Sequence, residues 1–237
     1  MTELSSITER IVAVEDVNTQ DYPAHVASII YTRGCNLKCP YCQNPEIVLA
    51  SASGCLGIYP VVKKLKKNKL IDSVVLTGGE PTVNEDFLYD LIREIKSTTK
   101  LKIKLDTNGT HPEALRFLRG SVDYIAMDIK TSIDKYNLLG WGWKNTPFLC
   151  IELVDSIDII KRFYPDREFR TTCVSPFAEE IITWAGHLRG EKLYLQEANM
   201  KRILNPEYKM RAMTMDEIIS LRDAMIYLGV HAEIRGS

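Results

Sequence analysis

The chain has 237 residues, 45% of them hydrophobic, which predicts one larger globular domain or two small ones. Its 30 Lys and Arg residues nearly balance its 31 Asp and Glu residues, so it lacks the strongly basic character of a nucleic-acid-binding domain, and no nucleic-acid partner is expected. No apolar run reaches about 18 residues, and the first residues, MTELSSITERIVAV, lack a basic-then-apolar leader, so we expect a cytoplasmic protein with no membrane partner and with reduced cysteines.

Seven short runs, most of which contain β-branched residues, are predicted to be strands, and segments with helical apolar spacing separate them. The runs lie at 26–30, 73–77, 102–106, 124–129, 169–174, 193–196 and 230–234. Strands that alternate with helices predict right-handed crossovers and a mainly parallel sheet. About six such units form a barrel or a partial barrel, whose ligands bind at the carboxyl ends of the strands.

The helix signals between these runs are caps, apolar stripes and stops. The charged segment KKLKKNK (63–69) is interpreted as a solvated helix face rather than a docking patch for a partner. Further helices are predicted at 85–95 after Asn84, at 112–118 after His111, at 157–163 before Pro165, at 181–188, and at 218–228 between a Thr214–Glu217 capping box and Gly229. Residues 131–150 are predicted to form a short helix and then an aromatic-anchored surface loop, with a substrate-gating loop as the alternative.

Three cysteines, Cys35, Cys39 and Cys42, follow the first predicted strand. A structural zinc is usually closed by four ligands, and no second cysteine pair or HxxxH motif is present. A [4Fe–4S] cluster usually takes one cysteine per iron, so three cysteines leave one iron open to an external ligand. Because thiolates favour iron–sulfur sites over hard metals, an open cluster ranks first, zinc second and a chance grouping third. The other cysteines are scattered and are interpreted as small buried residues: Cys55, Cys150 and Cys173.

Polar and glycine-rich segments follow the later predicted strands, and all of them are expected at one edge of the sheet. They are GGEPT (78–82), TNGT (107–110), Asp128 with Lys130, and Gln196 with Glu197. Taken singly, GGEPT is typical of an ordinary turn, and DTNG (106–109) is typical of a turn with positive φ. Asp128 and Lys130 by themselves also fit a solvated ion pair on one side of a strand.

The order CNLKCPYC (35–42), GGEPT (78–82) and DTNGT (106–110) resembles the signature of the radical S-adenosylmethionine (SAM) enzymes. The resemblance implies a partial (β/α)6 TIM-like barrel as a single domain over 1–237. Residues 1–22 would be an N-terminal extension, residues 23–200 the barrel core, and residues 201–237 a C-terminal helix and strand.

The resemblance also implies the cofactors, which are a [4Fe–4S] cluster and SAM, and the residues that hold them. Cys35, Cys39 and Cys42 would each bind one iron, and the amino and carboxylate groups of SAM would chelate the fourth. The other implied cofactor-binding residues are Tyr41 at the adenine, Gly78, Gly79 and Glu80 at the amino group, Asp106, Thr107, Asn108, Asp128 and Lys130 near the carboxylate, and Val174 and Gln196 at the adenosine. A monovalent cation shared by Asp106 and Asp128 would ease the repulsion between their charges.

The flanks DYPAH (21–25) and CQNPE (42–46) resemble the activating enzymes of glycyl-radical enzymes, and most closely the activators of anaerobic ribonucleoside-triphosphate reductase. The chain departs from that group at Ala24, where glycine is usual, and at Gln43, where histidine is commoner. The implied reaction is reductive cleavage of SAM to a 5′-deoxyadenosyl radical that takes hydrogen from a glycine of a partner protein. An electron donor such as flavodoxin or ferredoxin is implied too. The alternatives are a radical SAM enzyme acting on a small molecule or RNA, and a non-catalytic metal-binding protein.

Overall fold

The computed structural model describes residues 9–49, 54–140 and 146–236. Its strands are β1 (Glu9–Asn18), β2 (Ala27–Thr32), β3 (Leu56–Gly57), β4 (Ser73–Gly78), β5 (Lys102–Thr107), β6 (Tyr124–Asp128), β7 (Arg167–Ser175), β8 (Lys192–Glu197), β9 (Arg211–Ala212) and β10 (His231–Arg235). Its α-helices are α1 (Pro45–Val48), α2 (Ile58–Lys67), α3 (Glu85–Thr98), α4 (Pro112–Phe117), α5 (Thr146–Phe163) and α6 (Met215–Tyr227).

One sheet carries most of the strands, in the order β10-β8-β7-β6-β5-β4-β2-β1-β3, and β9 pairs with β7 beside it. The pairs from β2 to β10 are all parallel. The sheet does not close, since β10 and β3 lie at its two ends. This open, mainly parallel sheet with crossover helices confirms the predicted partial barrel.

All seven predicted runs are strands of the parallel part of the sheet. Strands β1, β3 and β9 were not predicted, although β1 contains the β-branched residues Ile11, Val12 and Val14. β1 runs antiparallel to β2, so the predicted N-terminal extension supplies a strand of the sheet. β10 pairs in parallel with β8, so the predicted C-terminal part also extends the sheet.

The helices follow their sequence signals in most places. α2 buries Val61, Val62 and Leu65 and leaves its lysines outward, as predicted for segment 63–69. α3 begins after Asn84, α4 has a proline in its first turn, and α6 carries the Thr214–Glu217 capping box. The predicted helix at 181–188 is instead a 3₁₀ helix over Ala178–Trp184, followed by turns. Its last turns are not helical because Leu188 starts the turn that leads through Gly190, at φ 78°, into β8.

The segment after β6 matches its prediction in the part that the structure describes. A 3₁₀ helix covers Ile133–Leu139 and ends at Gly140, whose φ is 70°. Trp141 and Trp143 lie outside the described residues, so the predicted loop around them stays a prediction. The next described residues begin helix α5 at Thr146, earlier than the predicted start at 157.

Ala24 adopts a φ of 62°, a left-handed conformation that a side chain rarely takes. It lies in the turn before β2, where the backbone N–H of His25 donates to the carbonyl oxygen of Tyr22. Glycine takes this conformation at no steric cost, whereas the Cβ of Ala24 makes it unfavourable.

The two faces of the parallel strands have different chemistry, and this difference positions the site. On β5, Ile103 and Leu105 are fully buried. They belong to the same hydrophobic core as Leu91 of helix α3. The intervening residues, Lys104 and Asp106, point to the opposite, inner face, as strand alternation requires. The inner face of β5 is therefore lined by charged and polar side chains. Among the described residues, no helix is long and apolar enough to cross a membrane.

Candidate active site

A cavity of about 210 Å³ lies at the carboxyl edge of the parallel strands. Twelve of the fourteen predicted site residues line it. The lining residues are Cys35, Leu37, Cys39, Tyr41, Cys42, Gln43, Asn44, Val48, Thr77, Gly78, Gly79, Glu80, Asp106, Thr107, Asn108, Asp128, Lys130 and Thr172. The two remaining predicted residues, Val174 and Gln196, are not among them.

The loop after β2 (residues 33–44, the cysteine loop) carries the three cysteines on one wall of this cavity. Leu37 donates its backbone N–H to the sulfur of Cys35, at 3.3 Å. Burial raises the pKa of Cys35 to about 12 and that of Cys39 to about 11. Both are therefore thiols at neutral pH in the metal-free protein, and binding to iron requires the loss of their protons.

The donor set of the cavity fits a cluster held by three cysteines. Three soft sulfur donors share one wall, and polar groups suited to an external chelating ligand form the rest of the lining. Within the described ranges, no group of three or more His, Cys, Asp or Glu side chains already has the mutual spacing of a metal site.

Two glycines let the loop after β4 lie directly on the cysteine loop. The N–H of Gly79 donates to the carbonyl oxygen of Thr32, and the N–H of Glu80 donates to that of Gly34, at 2.9 and 2.8 Å. A Cβ at Gly79 would overlap the backbone of Gly34, and one at Gly78, whose φ is 129°, would overlap the backbone of Thr32. The glycines are thus required by contact between these two loops, whatever ligand occupies the cavity.

Glu80 is buried, and its carboxylate ties its own loop to the loop after β5. One oxygen accepts from the hydroxyl of Thr107 at 2.8 Å and from the backbone and hydroxyl of Thr82, and the other accepts from the N–H of Asn108 at 2.6 Å. Burial raises the pKa of Glu80 above its ordinary value, against the lowering effect of these hydrogen bonds. Both carboxylate oxygens of Glu80 therefore accept hydrogen bonds from other groups of the protein. A contact with the amino group of SAM would thus come from the backbone of the loop after β4.

Replacing Glu80 by glutamine is expected to lower the free energy of unfolding by about 1–3 kcal/mol, because the amide nitrogen cannot accept and leaves a buried donor unpaired. The melting temperature should then fall by about 2 to 12 °C. The matched control is Glu207→Gln, at an exposed position, which should change stability by less than about 0.5 kcal/mol. Equal melting temperatures for the two variants, measured by circular dichroism, would contradict this role of Glu80.

Charged side chains fill the inner face of the sheet beneath the cavity. Lys130 pairs with Asp128 at 3.3 Å, and Arg170 joins Asp128 to Asp106 with bonds of 2.9 and 3.0 Å. Lys104 also pairs with Asp106. Burial by itself would raise the pKa of Asp128, but the charges of Arg170 and Lys130 outweigh it and hold that pKa below its ordinary value. Burial likewise opposes the charge of Lys130, yet Asp128 raises the pKa of Lys130 well above its ordinary value. Both groups are thus ionised at neutral pH.

Asn108 belongs to a network that joins the loop after β5 to the cysteine loop. Its amide nitrogen donates to the side-chain oxygen of Asn36 at 2.9 Å and lies 4.0 Å from the sulfur of Cys35. Asn36 in turn donates to the hydroxyl of Thr110, at 2.8 Å. The predicted turn at 106–109 is present, with Gly109 at φ 75°, and it also places an amide beside a cysteine sulfur.

Tyr41, Val174 and Gln196 have different environments. Tyr41 lines the cavity, its ring packs against Phe177 with centroids 5.2 Å apart, and its hydroxyl donates to the carbonyl oxygen of Lys130 at 3.4 Å. Val174 is fully buried and pairs with Ala212 of β9. Gln196 lies at the carboxyl end of β8, opposite Thr172 of β7. Among the residues of β7 and β8, Thr172 lines the cavity, whereas Val174 and Gln196 do not.

Sequence reasoning missed Lys104, Arg170 and Thr172. A signal for part of this set exists on β7, where the polar residues Glu168, Arg170 and Thr172 occupy every second position, with Phe169 and Cys173 among the residues between and after them. Such a pattern indicates a polar inner face. It does not indicate which carboxylates, distant in sequence, the arginine contacts.

A model of the Radical SAM superfamily matches residues 29–145. A protein of Methanocaldococcus jannaschii, provisionally named as a glycyl-radical enzyme activating enzyme, is 32% identical over 201 residues, which are 83% of this chain and 82% of that protein. A pyruvate formate-lyase-activating enzyme of Clostridium pasteurianum is 26% identical over 51% of this chain and 52% of its own length. A 7-carboxy-7-deazaguanine synthase of Methanothermobacter thermautotrophicus is 35% identical over 41% of this chain and 38% of its own length.

The solved structure of a radical SAM methyltransferase from Sphaerobacter thermophilus superposes with a TM-score of 0.70. It covers 93% of this chain and 68% of the methyltransferase, at 15% sequence identity. At that identity the likeness concerns the fold.

Proposed function

Since the chain belongs to the radical SAM superfamily, we propose that it is an activating enzyme that removes a hydrogen atom from a backbone glycine of a partner glycyl-radical enzyme. The observation that carries the proposal is the match over 83% of this chain and 82% of a relative provisionally named as such an activator. The match to a pyruvate formate-lyase-activating enzyme supports the same class of reaction. The partner that the flanking motifs favour is an anaerobic ribonucleoside-triphosphate reductase.

In this proposal Cys35, Cys39 and Cys42 hold a [4Fe–4S] cluster, and SAM lies in the cavity beside them. When bound, the reduced cluster would supply the electron that cleaves SAM to methionine and a 5′-deoxyadenosyl radical, which removes the hydrogen atom. Electron donors of the flavodoxin or ferredoxin class fit that requirement.

The chain's own residues bind and orient SAM in this proposal. Lys130 carries a positive charge at the cavity wall and binds the carboxylate of SAM, and its ion pair with Asp128 fixes the direction of its ammonium group. Thr107 and Asn108 are held at the rim by Glu80. Leu37, Tyr41 and Val48 supply apolar surface to the lining, which excludes water from the adenosine side.

The open side of the cavity supports a protein substrate. A small-molecule enzyme of this type is expected to close its pocket with residues from 197–235. In the part of the chain that the structure describes, the cavity lining runs from Cys35 to Thr172 and contains no residue of 197–235. The 197–235 segment instead supports the cysteine loop from outside, since Leu204 and Asn205 donate their backbone N–H groups to Cys42 and Pro40.

The test uses the anaerobically reconstituted protein, a reductant, SAM and the anaerobic ribonucleoside-triphosphate reductase of the same organism, labelled with α-deuterated glycine. We expect a glycyl radical in the electron paramagnetic resonance spectrum of the reductase. Unlabelled reductase should give a doublet, and the labelled reductase a narrower single line, because the remaining α-hydrogen is then deuterium. One deuterium should appear in 5′-deoxyadenosine for each radical formed. A reductase with its radical glycine replaced by alanine is the control and should show neither signal.

The second candidate is a radical SAM enzyme that acts on a small molecule or RNA, and the match to a 7-carboxy-7-deazaguanine synthase favours the small molecule. The same experiment separates the candidates. Formation of 5′-deoxyadenosine without a radical or deuterium transfer from the reductase would contradict the activase proposal and favour this second candidate.

A further inference from the structure

All four carboxylate oxygens of Asp106 and Asp128 already accept bonds from cationic side chains. The oxygens of Asp106 accept from Lys104 and, at 3.0 Å, from Nη1 of Arg170. The oxygens of Asp128 accept from Nε of Arg170 at 2.9 Å and from Lys130 at 3.3 Å. Each oxygen of this pair therefore already has a cationic partner at the position where a metal ion would bind.

Arg170 occupies the position between the two carboxylates. It lies on β7 in register with Asp128 of β6, and its residue is only 8% exposed. The guanidinium group is planar and presents several N–H groups in a fixed fork, so one side chain reaches both carboxylates. Lys104, which is fully buried, completes the neutralisation from β5.

The charge balance around this pair opposes any further cation. Three cations, Lys104, Lys130 and Arg170, contact two carboxylates. One layer below, Glu168 is fully buried and is paired with Arg235 at 3.0 Å, so its charge is also matched. A sodium or potassium ion between Asp106 and Asp128 would meet positive charge at close range in a poorly solvated interior.

We propose that the guanidinium group of Arg170 takes the place of the monovalent cation expected between Asp106 and Asp128, and that the protein needs no added Na⁺ or K⁺. Arg170 is a positioning residue in this role. It holds Asp128, and Asp128 holds Lys130 at the cavity wall. The consequence for SAM binding rests on the proposed function, whereas the consequence for the stability of the cofactor-free protein does not.

The first experiment measures the melting temperature of the cofactor-free protein in KCl, NaCl and tetramethylammonium chloride at equal ionic strength. The wild type should melt within about 1 °C in all three salts, since by the charge argument it offers no site for a small cation. Arg170→Gln in tetramethylammonium chloride should melt about 6 to 20 °C lower, because two buried carboxylates lose their shared partner. Adding K⁺ or Na⁺ should raise its melting temperature saturably.

Arg167→Gln is the matched control. Arg167 lies on the same strand and forms a two-point pair with Glu191, at 2.7 and 3.0 Å, away from the cavity. Its loss should lower the melting temperature with no selective recovery in K⁺ or Na⁺. Arg170→Lys is a second variant, to be used if Arg170→Gln does not fold, because it keeps the positive charge at this position. One ammonium group replaces the two-pronged contact only in part, so this variant should show a smaller loss and a smaller K⁺ response.

The second experiment measures SAM binding by the reconstituted protein with and without K⁺. Wild-type affinity should stay within about twofold, and Arg170→Gln should bind about tenfold more weakly without K⁺ and recover when K⁺ is added. A saturable gain in wild-type stability or SAM affinity on adding K⁺ would overturn the proposal. So would a lack of any K⁺ response in both Arg170 variants. If instead the cation behaviour is as expected and no partner radical forms, the activase proposal alone fails.

Discussion

The Cys39→Ala variant is expected to bind no intact [4Fe–4S] cluster and to form no 5′-deoxyadenosine above the protein-free background. Cys39 is one of three sulfur donors on the cavity wall, and among the residues that the structure describes no fourth cysteine lines the cavity. A cluster held by two protein thiolates would have two irons without a cysteine ligand, although SAM can chelate only one of them. The measurements are iron and sulfide per chain after anaerobic reconstitution, absorbance of the cluster, and 5′-deoxyadenosine by chromatography.

Cys150→Ala is the matched control, since it removes a thiol on α5 that does not line the cavity. It should retain the iron content and the activity of the wild type. A Cys39→Ala protein that still cleaves SAM would contradict the assignment of this cysteine. Stoichiometric zinc without iron in the wild-type protein would instead favour the zinc interpretation of the three cysteines.

The Gly79→Ala variant is expected to lose cluster assembly even though it changes no ligand. A methyl group at this position would overlap the backbone of Gly34, next to Cys35, and backbone cannot rotate away as a flexible side chain does. The loop after β4 must then separate from the cysteine loop, which breaks the hydrogen bond from Glu80 to Gly34. We expect iron per chain to fall towards zero and the free energy of unfolding to fall by about 1–3 kcal/mol or more.

Gly186→Ala is the control for this second variant. Gly186 has open space where a Cβ would lie, and its φ is not positive, so alanine should be tolerated with wild-type iron content. Circular dichroism of both variants separates loss of the cluster from loss of the fold. If Gly79→Ala keeps the wild-type iron content, the close contact between the two loops is not required for cluster assembly.

The fold was largely predictable because its signals are local. Most of the seven parallel strands are short runs that contain β-branched residues, and most helices carry a cap or a stop within a few residues of their ends. The failures have physical reasons. The predicted helix at 181–188 is 3₁₀ and shorter, since the turn into β8 takes its last residues. β1 was missed because an antiparallel strand between β2 and β3 depends on its pairing with them more than on its own sequence.

The sequence by itself determined the spacing of the three cysteines, the positions of the parallel strands along the chain and the polar segments at their carboxyl ends, because each is a property of neighbouring residues. Only the tertiary structure decided the partners across the site. Arg170 lies 64 residues from Asp106, and Gly79 meets Gly34 through the pairing of β4 with β2. Contacts of this kind follow from strand order and register, which no local pattern encodes. Most residues of the site could therefore be predicted from the sequence. The ion pairs that balance the charges around it could be identified only in the folded chain.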